Sequence, residues 1–456
     1  MFGGTKVFRS MSVLFATLAL GACGGGGGGR EDPTPPASDC TVTGQQAWLG
    51  NYMDDWYFWY RISPRPSAAG YSTVESYFDA LLYTGTSTTF PEDRWSRSQS
   101  TESFNRFYGD GATLGYGVAV NGVEVDGIST RPLYVRYVEP GSPAATQGVA
   151  RGDEIRSLNG RSIASVIAAD DYSLLSPTQS GDQLTLVLRR SGADRMVVLT
   201  AAVFTLAPVQ GAAVQTTPSG RRVAYLQVKD LISQGLAPMA TAFAQFQAAG
   251  VQDLLLDLRY NGGGLVSAGA TLASHIAGGR GSGLTYATLL YNDKRAAANN
   301  QNFAFSQPAA ALGLPRVYVL AGPRTCSASE QVINGLRGAG VQVITVGNTT
   351  CGKPVGFLPS SSCGRTYSVV NFESVNQRNE GRYFDGFEAS CPVAENFTVV
   401  QGGATDPLVM AAQRHADVGA CFTANDGRAQ PLALRRTLSG PRRATEPGER
   451  LGMIPQ

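Results

Sequence analysis

From about Phe204 the chain repeats one pattern: an apolar strand, a glycine-containing turn, then a helix. Arg222 to Val228 reads as a strand and Gly235 to Ala249 as a helix. Gln252 to Arg259 reads as a buried strand, apolar at the consecutive positions Leu254 to Leu256 as a strand covered on both faces must be. It runs into Tyr260-Asn261-Gly262-Gly263-Gly264 and a helix from Leu265 to Ile276. Val317 to Ala321 is a further strand, aimed at a helix that starts at Ser327 and reaches about Leu336, and Val341 to Val346 is another. Parallel neighbours need long crossover connections, so this alternation predicts a mainly parallel sheet with crossover helices. Functional turns in such sheets gather at the carboxyl ends of strands, where Asn261–Gly264 and Arg324–Ser327 both fall.

The 456 residues suffice for about two to three domains. Net charge is +2, with no Arg/Lys stripe interleaved with aromatics, so no nucleic-acid partner is expected. Residues 40–108 read as a small helical region. Trp48, Tyr52, Trp56 and Trp59 recur at helical spacing, which is a packing face, and Ser72 to Tyr83 gives a second helix. Residues 109–203 carry short β-type runs between glycine turns. Within them, Val138-Glu139-Pro140-Gly141-Ser142-Pro143-Ala144-Ala145, Gly148-Val149, Arg151-Gly152-Asp153-Glu154-Ile155 and Leu158-Asn159-Gly160 resemble a PDZ domain. That resemblance places a peptide-carboxylate loop at Gly115, Tyr116, Gly117 and Val118, where a peptide would add as a strand. A small β-rich module without a ligand is the other reading.

The first residues read as an export signal, residues 1–22. Lys6 and Arg9 precede an apolar run from Met11 to Ala19 that is too short to span a membrane. Leu20-Gly21-Ala22-Cys23 resembles the lipobox of bacterial lipoproteins, which implies cleavage before Cys23 and acylation of its thiol. Gly24 after the cysteine favours, by the same resemblance, an outer-membrane destination facing the periplasm. Residues 23–39, rich in glycine and proline, read as a flexible tether. Six cysteines follow: Cys40, Cys326, Cys351, Cys363, Cys391 and Cys421. An even number in an exported chain suggests disulfides, and sequence does not choose the pairing. A bridge between Cys326 and Cys351 would flank the candidate site; Cys326 as a nucleophile is a weak rival. Residues 431–456 carry five arginines and little apolar periodicity, and are expected to be unstructured.

Thr325-Cys326-Ser327-Ala328-Ser329-Glu330 and Thr350-Cys351-Gly352-Lys353 are the candidate chemistry. The whole chain has two histidines, His275 and His415. A serine can instead be activated by a lysine, provided the amine is neutral. Lysine titrates near 10.4 in water, so burial has to lower it, and the neighbours of Lys353 are uncharged. Ser327 at a helix start also lets the Ala328 N–H meet a developing oxyanion. Taken singly, the same residues read as a helix cap with Glu330 completing a capping box, and as a solvated lysine.

In order, the PDZ-like module, Asp257 to Gly264, Cys326 to Glu330 and Thr350 to Lys353 resemble the C-terminal processing peptidases, or tail-specific proteases. The resemblance spans about 109 to 360. It implies an α/β catalytic domain over 204–430, a parallel-rich sheet with crossover helices of the ClpP/crotonase-like kind, beside a β-rich PDZ domain and a small N-terminal helical region. It implies a serine endopeptidase with Ser327 as nucleophile, Lys353 as base, and Gly263 with Ala328 as oxyanion donors. Its substrates would be proteins or peptides with accessible C-termini. The family's glutamine four residues after the lysine is Phe357 here, so Glu373 and Gln377 become candidates for a third catalytic member.

A catalytically silent scaffold of the same fold is the competing reading. An α/β-hydrolase is disfavoured, since no Gly-x-Ser-x-Gly surrounds Ser327. No cofactor and no metal is expected: the cysteines lack Cys-x-x-Cys pairs and histidines are few. Membrane contact is expected only through Cys23, and the oligomeric state is not readable.

Overall fold

A computed structural model describes residues 1, 36–120, 132–169, 171–422 and 452–455. Cys23, most of the export signal and tether, and residues 423–451 lie outside the described residues. The central sheet, among the described residues, runs Val209–Thr216, Arg222–Val228, Asp253–Asp257, Arg316–Ala321, Gln342–Gly347, Cys391–Pro392. All neighbours are parallel except the first pair. The apolar run in Asp253–Asp257 explains its central place. Leu254 and Leu256 face the core shared with Phe243, Phe246, Leu272 and Val332 of three covering helices. Leu255 faces the opposite core, shared with Leu408, Val409 and Ala412 of helix Pro407–Val418. A strand covered on both faces needs apolar side chains at odd and even positions alike.

The β-rich module keeps its own core, built by Val135, Ile155, Leu158, Leu184, Leu186 and Leu188 among others. Its strands Val118–Val120, Leu133–Val138, Glu154–Leu158, Gln183–Arg190 and Ala193–Thr200 form one sheet. Ala112–Gly115 pairs with Ala202–Thr205, closing the module where it leaves the chain.

The N-terminal helical region shares the main core. Helix Val42–Trp56 buries Trp48, Leu49, Tyr52, Met53 and Trp56 in the same core as the helices that cover the central sheet, while Trp59 is buried in the turn beyond it. Arg97–Ser100 pairs antiparallel with Arg365–Ser368, and a Cys40–Cys363 disulfide ties the start of the helix to that sheet. One expectation is corrected: residues 452–455, within the tail read as unstructured, are ordered and buried. Gly452–Ile454 is a strand parallel to Gly263–Leu265, with Met453 and Ile454 at 0% and 2% exposure. The arginine-rich composition hid a short apolar segment that a backbone edge could capture.

Candidate active site

Strand Arg316–Ala321 ends at the sheet's carboxyl edge, and the chain turns through Gly322–Cys326 into helix Ala328–Gly338. This turn is stitched to the glycine turn beside it. Thr325 Oγ1 donates to the Leu258 carbonyl at 2.8 Å, Cys326 N–H to the Asn261 carbonyl at 3.1 Å, and Ser329 Oγ to the same carbonyl at 3.0 Å. Ser327 sits at the corner with φ +62° and ψ −121°. A side-chain-bearing residue there is strained by about 1–3 kcal/mol and persists only where its surroundings over-determine it. Its hydroxyl is buried and has no hydrogen-bond partner among the described residues. A buried hydroxyl spent on nothing, at a strained corner, is available to chemistry.

Lys353 is 0% exposed. Burial pushes its amine well below the ordinary lysine range; Arg97 adds to this, while Asp93 and Glu330 oppose it. Its Nζ lies 3.7 Å from the centre of the Phe357 ring, and the Arg97 guanidinium carbon lies 5.2 Å from the same centre. The residue at the family's glutamine position thus supplies an aromatic face.

Glu330 joins the two residues. Its Oε2 accepts the N–H of Ser327 at 2.9 Å and the N–H of Lys353 at 2.8 Å. Its Oε1 accepts Gly352 N–H at 2.8 Å and Thr350 Oγ1 at 2.6 Å. Burial raises this carboxyl above its usual range, opposed by the bonds from Thr350, Lys353, Gly352 and Ser327. One carboxylate oxygen therefore holds the backbones of both candidate catalytic residues. Sequence reading recognised Glu330 only as a cap; the capping-box signal was there, but its reach to Gly352 and Lys353 was not visible. Asp93 and Arg97 were missed altogether, because they come from the N-terminal region and carry no local motif.

The Cys326–Cys351 disulfide is a second clamp, on the residues flanking this pair, with a sequence separation of 25. Replacing both cysteines by serine is expected to cost about 3 kcal/mol of stability by loop entropy and to lower kcat about tenfold by loosening Ser327 against Lys353. Thermal unfolding and steady-state kinetics check this; unchanged kcat would show the bridge to be irrelevant to the site.

Gly263 and Ala328 come together as expected. A Cβ on Gly263, whose φ is +108°, would stand 2.9 Å from Ala328 N and 2.9 Å from Ser327 Cβ, so the approach demands glycine. The N–H of Gly263, however, donates to Asn261 Oδ1 at 2.9 Å and is not turned to the nucleophile in this conformation. Glu373 and Gln377 are engaged elsewhere. Glu373 binds Arg382 through both oxygens at 2.8 and 3.1 Å, and Gln377 Oε1 accepts the Thr285 N–H at 2.6 Å. The charged groups that act on the Lys353 amine are Arg97, Asp93 and Glu330.

Gly115, Tyr116, Gly117 and Val118 form a turn between two strands of the β-rich module. The Tyr116 carbonyl accepts Ala144 N–H and the Gly117 carbonyl accepts Glu139 N–H, each at 2.9 Å. The module also reaches the site's supports. Arg151 donates to Tyr260 Oη at 2.7 Å and to Glu395 Oε1 at 2.9 Å, and Tyr260 directly precedes Asn261.

Residues 222–361 match the family described as peptidase family S41, residues 44–97 its N-terminal domain, and residues 134–190 a PDZ domain. The chain is 30% identical over 174 residues to a chloroplastic C-terminal processing peptidase of Tetradesmus obliquus, covering 36% of this chain and 37% of that one. It is 29% identical over 278 residues to carboxyl-terminal-processing peptidase 3 of Arabidopsis thaliana, covering 58% and 50%. To the carboxyl-terminal-processing protease of a Picosynechococcus strain it is 26% identical over 272 residues, covering 58% and 61%. The matches thus span between about a third and three fifths of these relatives' lengths. A crystal structure described as an S41 protease of Bacteroides fragilis shares the fold, with TM-score 0.64 and 23% identity, covering 82% of this chain and 97% of that one. By these matches and this architecture, the chain has the fold of the S41 peptidases, with a PDZ domain and an N-terminal helical region, and its residues 222–361 carry that family's match.

Proposed function

We propose that this chain is a serine endopeptidase that hydrolyses peptide bonds in exported proteins, using Ser327 and Lys353. The observation that carries this reading is a strained Ser327 with an unpartnered hydroxyl and a fully buried Lys353, their backbone N–H groups held by one oxygen of Glu330. Lys353, neutral because it is desolvated, takes the Ser327 proton as Oγ bonds to the substrate carbonyl carbon. The charge that develops on the carbonyl oxygen faces the Ala328 N–H at the helix start. Collapse returns the proton from Lys353 to the departing amine and leaves an acyl ester on Ser327. Water, deprotonated by the same amine, then releases the acid and restores both groups. A second oxyanion donor comes from the glycine turn after Asn261 releases the N–H of Gly263.

The PDZ module would take substrate C-termini at the Gly115–Val118 turn, and a lipid on Cys23 would hold the chain at the outer membrane, facing the periplasm. No described helix is long and apolar enough to cross a membrane. The silent-scaffold reading draws on Phe357 alone, and the 3.7 Å ring contact with Lys353 gives that residue a use in the site. Casein digestion, together with labelling by a fluorophosphonate, tests the proposal. Peptide release and a single label on Ser327 are expected. Failure of both, in the full chain and in the tail-deleted chain described below, would reject the enzyme in favour of the scaffold.

A further inference from the structure

The strand Gly263–Leu265 has two backbone edges. One is used by Leu231, whose N–H donates to the Gly263 carbonyl at 3.1 Å and whose carbonyl accepts Leu265 N–H at 2.7 Å. The other is taken by the chain's own Gly452–Ile454, in the register Gly263 with Gly452, Gly264 with Met453 and Leu265 with Ile454. Gly452 N–H donates to the Gly262 carbonyl at 3.1 Å. An open edge of this kind is a template for an extended peptide.

The seat of this segment is the active site itself. A Cβ on Gly263 would meet the Gly452 carbonyl oxygen at 2.1 Å and both Ala328 N and Ser327 Cβ at 2.9 Å. The tail carbonyl therefore lies beside the nucleophile and its helix start. On the far side, a Cβ on Gly356 would meet the Met453 carbonyl oxygen at 2.6 Å, and one on Gly452 would meet Tyr108 Oη at 2.4 Å. The tail is thus enclosed by the glycine turn, the strand that follows Lys353 and the N-terminal region, and all four residues from Gly452 to Pro455 are buried. The Gly263 N–H meanwhile stays with Asn261 Oδ1, so the tail carbonyl lies there without activation by that N–H.

We infer that Gly452–Pro455 is a resident peptide ligand of the catalytic groove, bound as a parallel strand on Gly263–Leu265, and that it holds this chain's own active site closed. The inference rests on the peptidase reading for its consequence but not for the binding itself. A substrate must displace the tail to reach Ser327, so its apparent affinity falls by the fraction of molecules with the groove open. The register also sets a preference. The residue beside Ser327 that takes the place of Gly452 has to be small, because Tyr108 closes over it, and apolar residues follow in the places of Met453 and Ile454.

Two variants and one binding measurement test this. Deleting residues 452–456 is expected to raise kcat/KM for casein or a fluorogenic peptide about tenfold or more. Gly452→Phe in the full chain, which sets a ring against Tyr108, is expected to do the same. Thermal unfolding confirms that each variant is folded. Unchanged or reduced kcat/KM in a folded variant overturns the occlusion. Separately, dye-labelled Gly-Met-Ile-Pro-Gln is titrated into the tail-deleted chain carrying Ser327→Ala and into the full chain with the same substitution. Saturable binding to the first, about tenfold or more tighter than to the second, is expected. Equal or absent binding overturns the resident ligand. Selective binding in a protein that cleaves nothing in any form would reject the peptidase reading and leave the ligand standing. Activation of the full chain on dilution would assign the tail to a neighbouring copy and overturn occupancy within one chain.

Discussion

Ser327→Ala, made in the tail-deleted chain where the groove is open, is expected to lower kcat by about 10⁴-fold or more. It is also expected to leave stability within about 0.5 kcal/mol. The first effect follows from removing the only atom that bonds to the substrate carbonyl. The second follows from what Oγ does in the resting protein, where it accepts and donates no hydrogen bond among the described residues. Glu330 is held by the Ser327 N–H, which alanine keeps. Alanine also keeps the Cβ, so the strain at φ +62° persists. Ser327→Gly separates strain from chemistry. It is expected to be equally inactive yet more stable by about 1 kcal/mol, since glycine adopts positive φ freely. Turnover by either variant at the wild-type rate would remove Ser327 from the mechanism. A collapse of Tm in Ser327→Ala would make it a structural residue.

Lys353→Met is expected to cost activity on the same scale and to stabilise the fold. The sign follows from linkage. The folded-state amine is held well below its ordinary value, chiefly by burial. Between the folded and unfolded values the unfolded chain binds the extra proton, so stability rises with pH across that window and is lowest below it. At neutral pH, where the unfolded chain's lysine is protonated, the buried amine therefore weakens the fold. Methionine has similar length, needs no proton and fits the apolar face of Phe357, so that cost disappears.

The same shift governs wild-type turnover. Activity rises with pH as the amine loses its proton, and a flat profile between about pH 6 and 9 would exclude lysine as the base. Arg97→Ala removes the cation that helps depress the amine, so the rise is expected to move to higher pH while the plateau is kept. A profile that does not move would show Arg97 to be a bystander.

Several site residues were legible from local pattern because the chemistry is local in sequence. Strand, glycine turn and helix placed Ser327 at a helix start and Gly263 in the facing turn, and the structure keeps both. The uncharged neighbours of Lys353 foretold its desolvation. Glu373 and Gln377 were chosen by proximity along the chain, and in the structure Glu373 binds Arg382 while Gln377 accepts the Thr285 N–H. Asp93 and Arg97 lie far from Lys353 in sequence and reach it only because Arg97–Ser100 joins Arg365–Ser368.

The sequence by itself determined the order of elements, the parallel-rich sheet and the placing of Ser327 and Lys353 beside glycine-containing turns. These depend on hydrophobic periodicity, glycine turns and short motifs, which act over a few residues. Tertiary structure alone decided which charges surround the amine, that Glu330 holds both Ser327 and Lys353, which N–H groups are already spent, and that Gly452–Pro455 lies across the groove. Each of these is set by contacts between segments distant along the chain, and no local pattern records which backbone edge a distant strand will find.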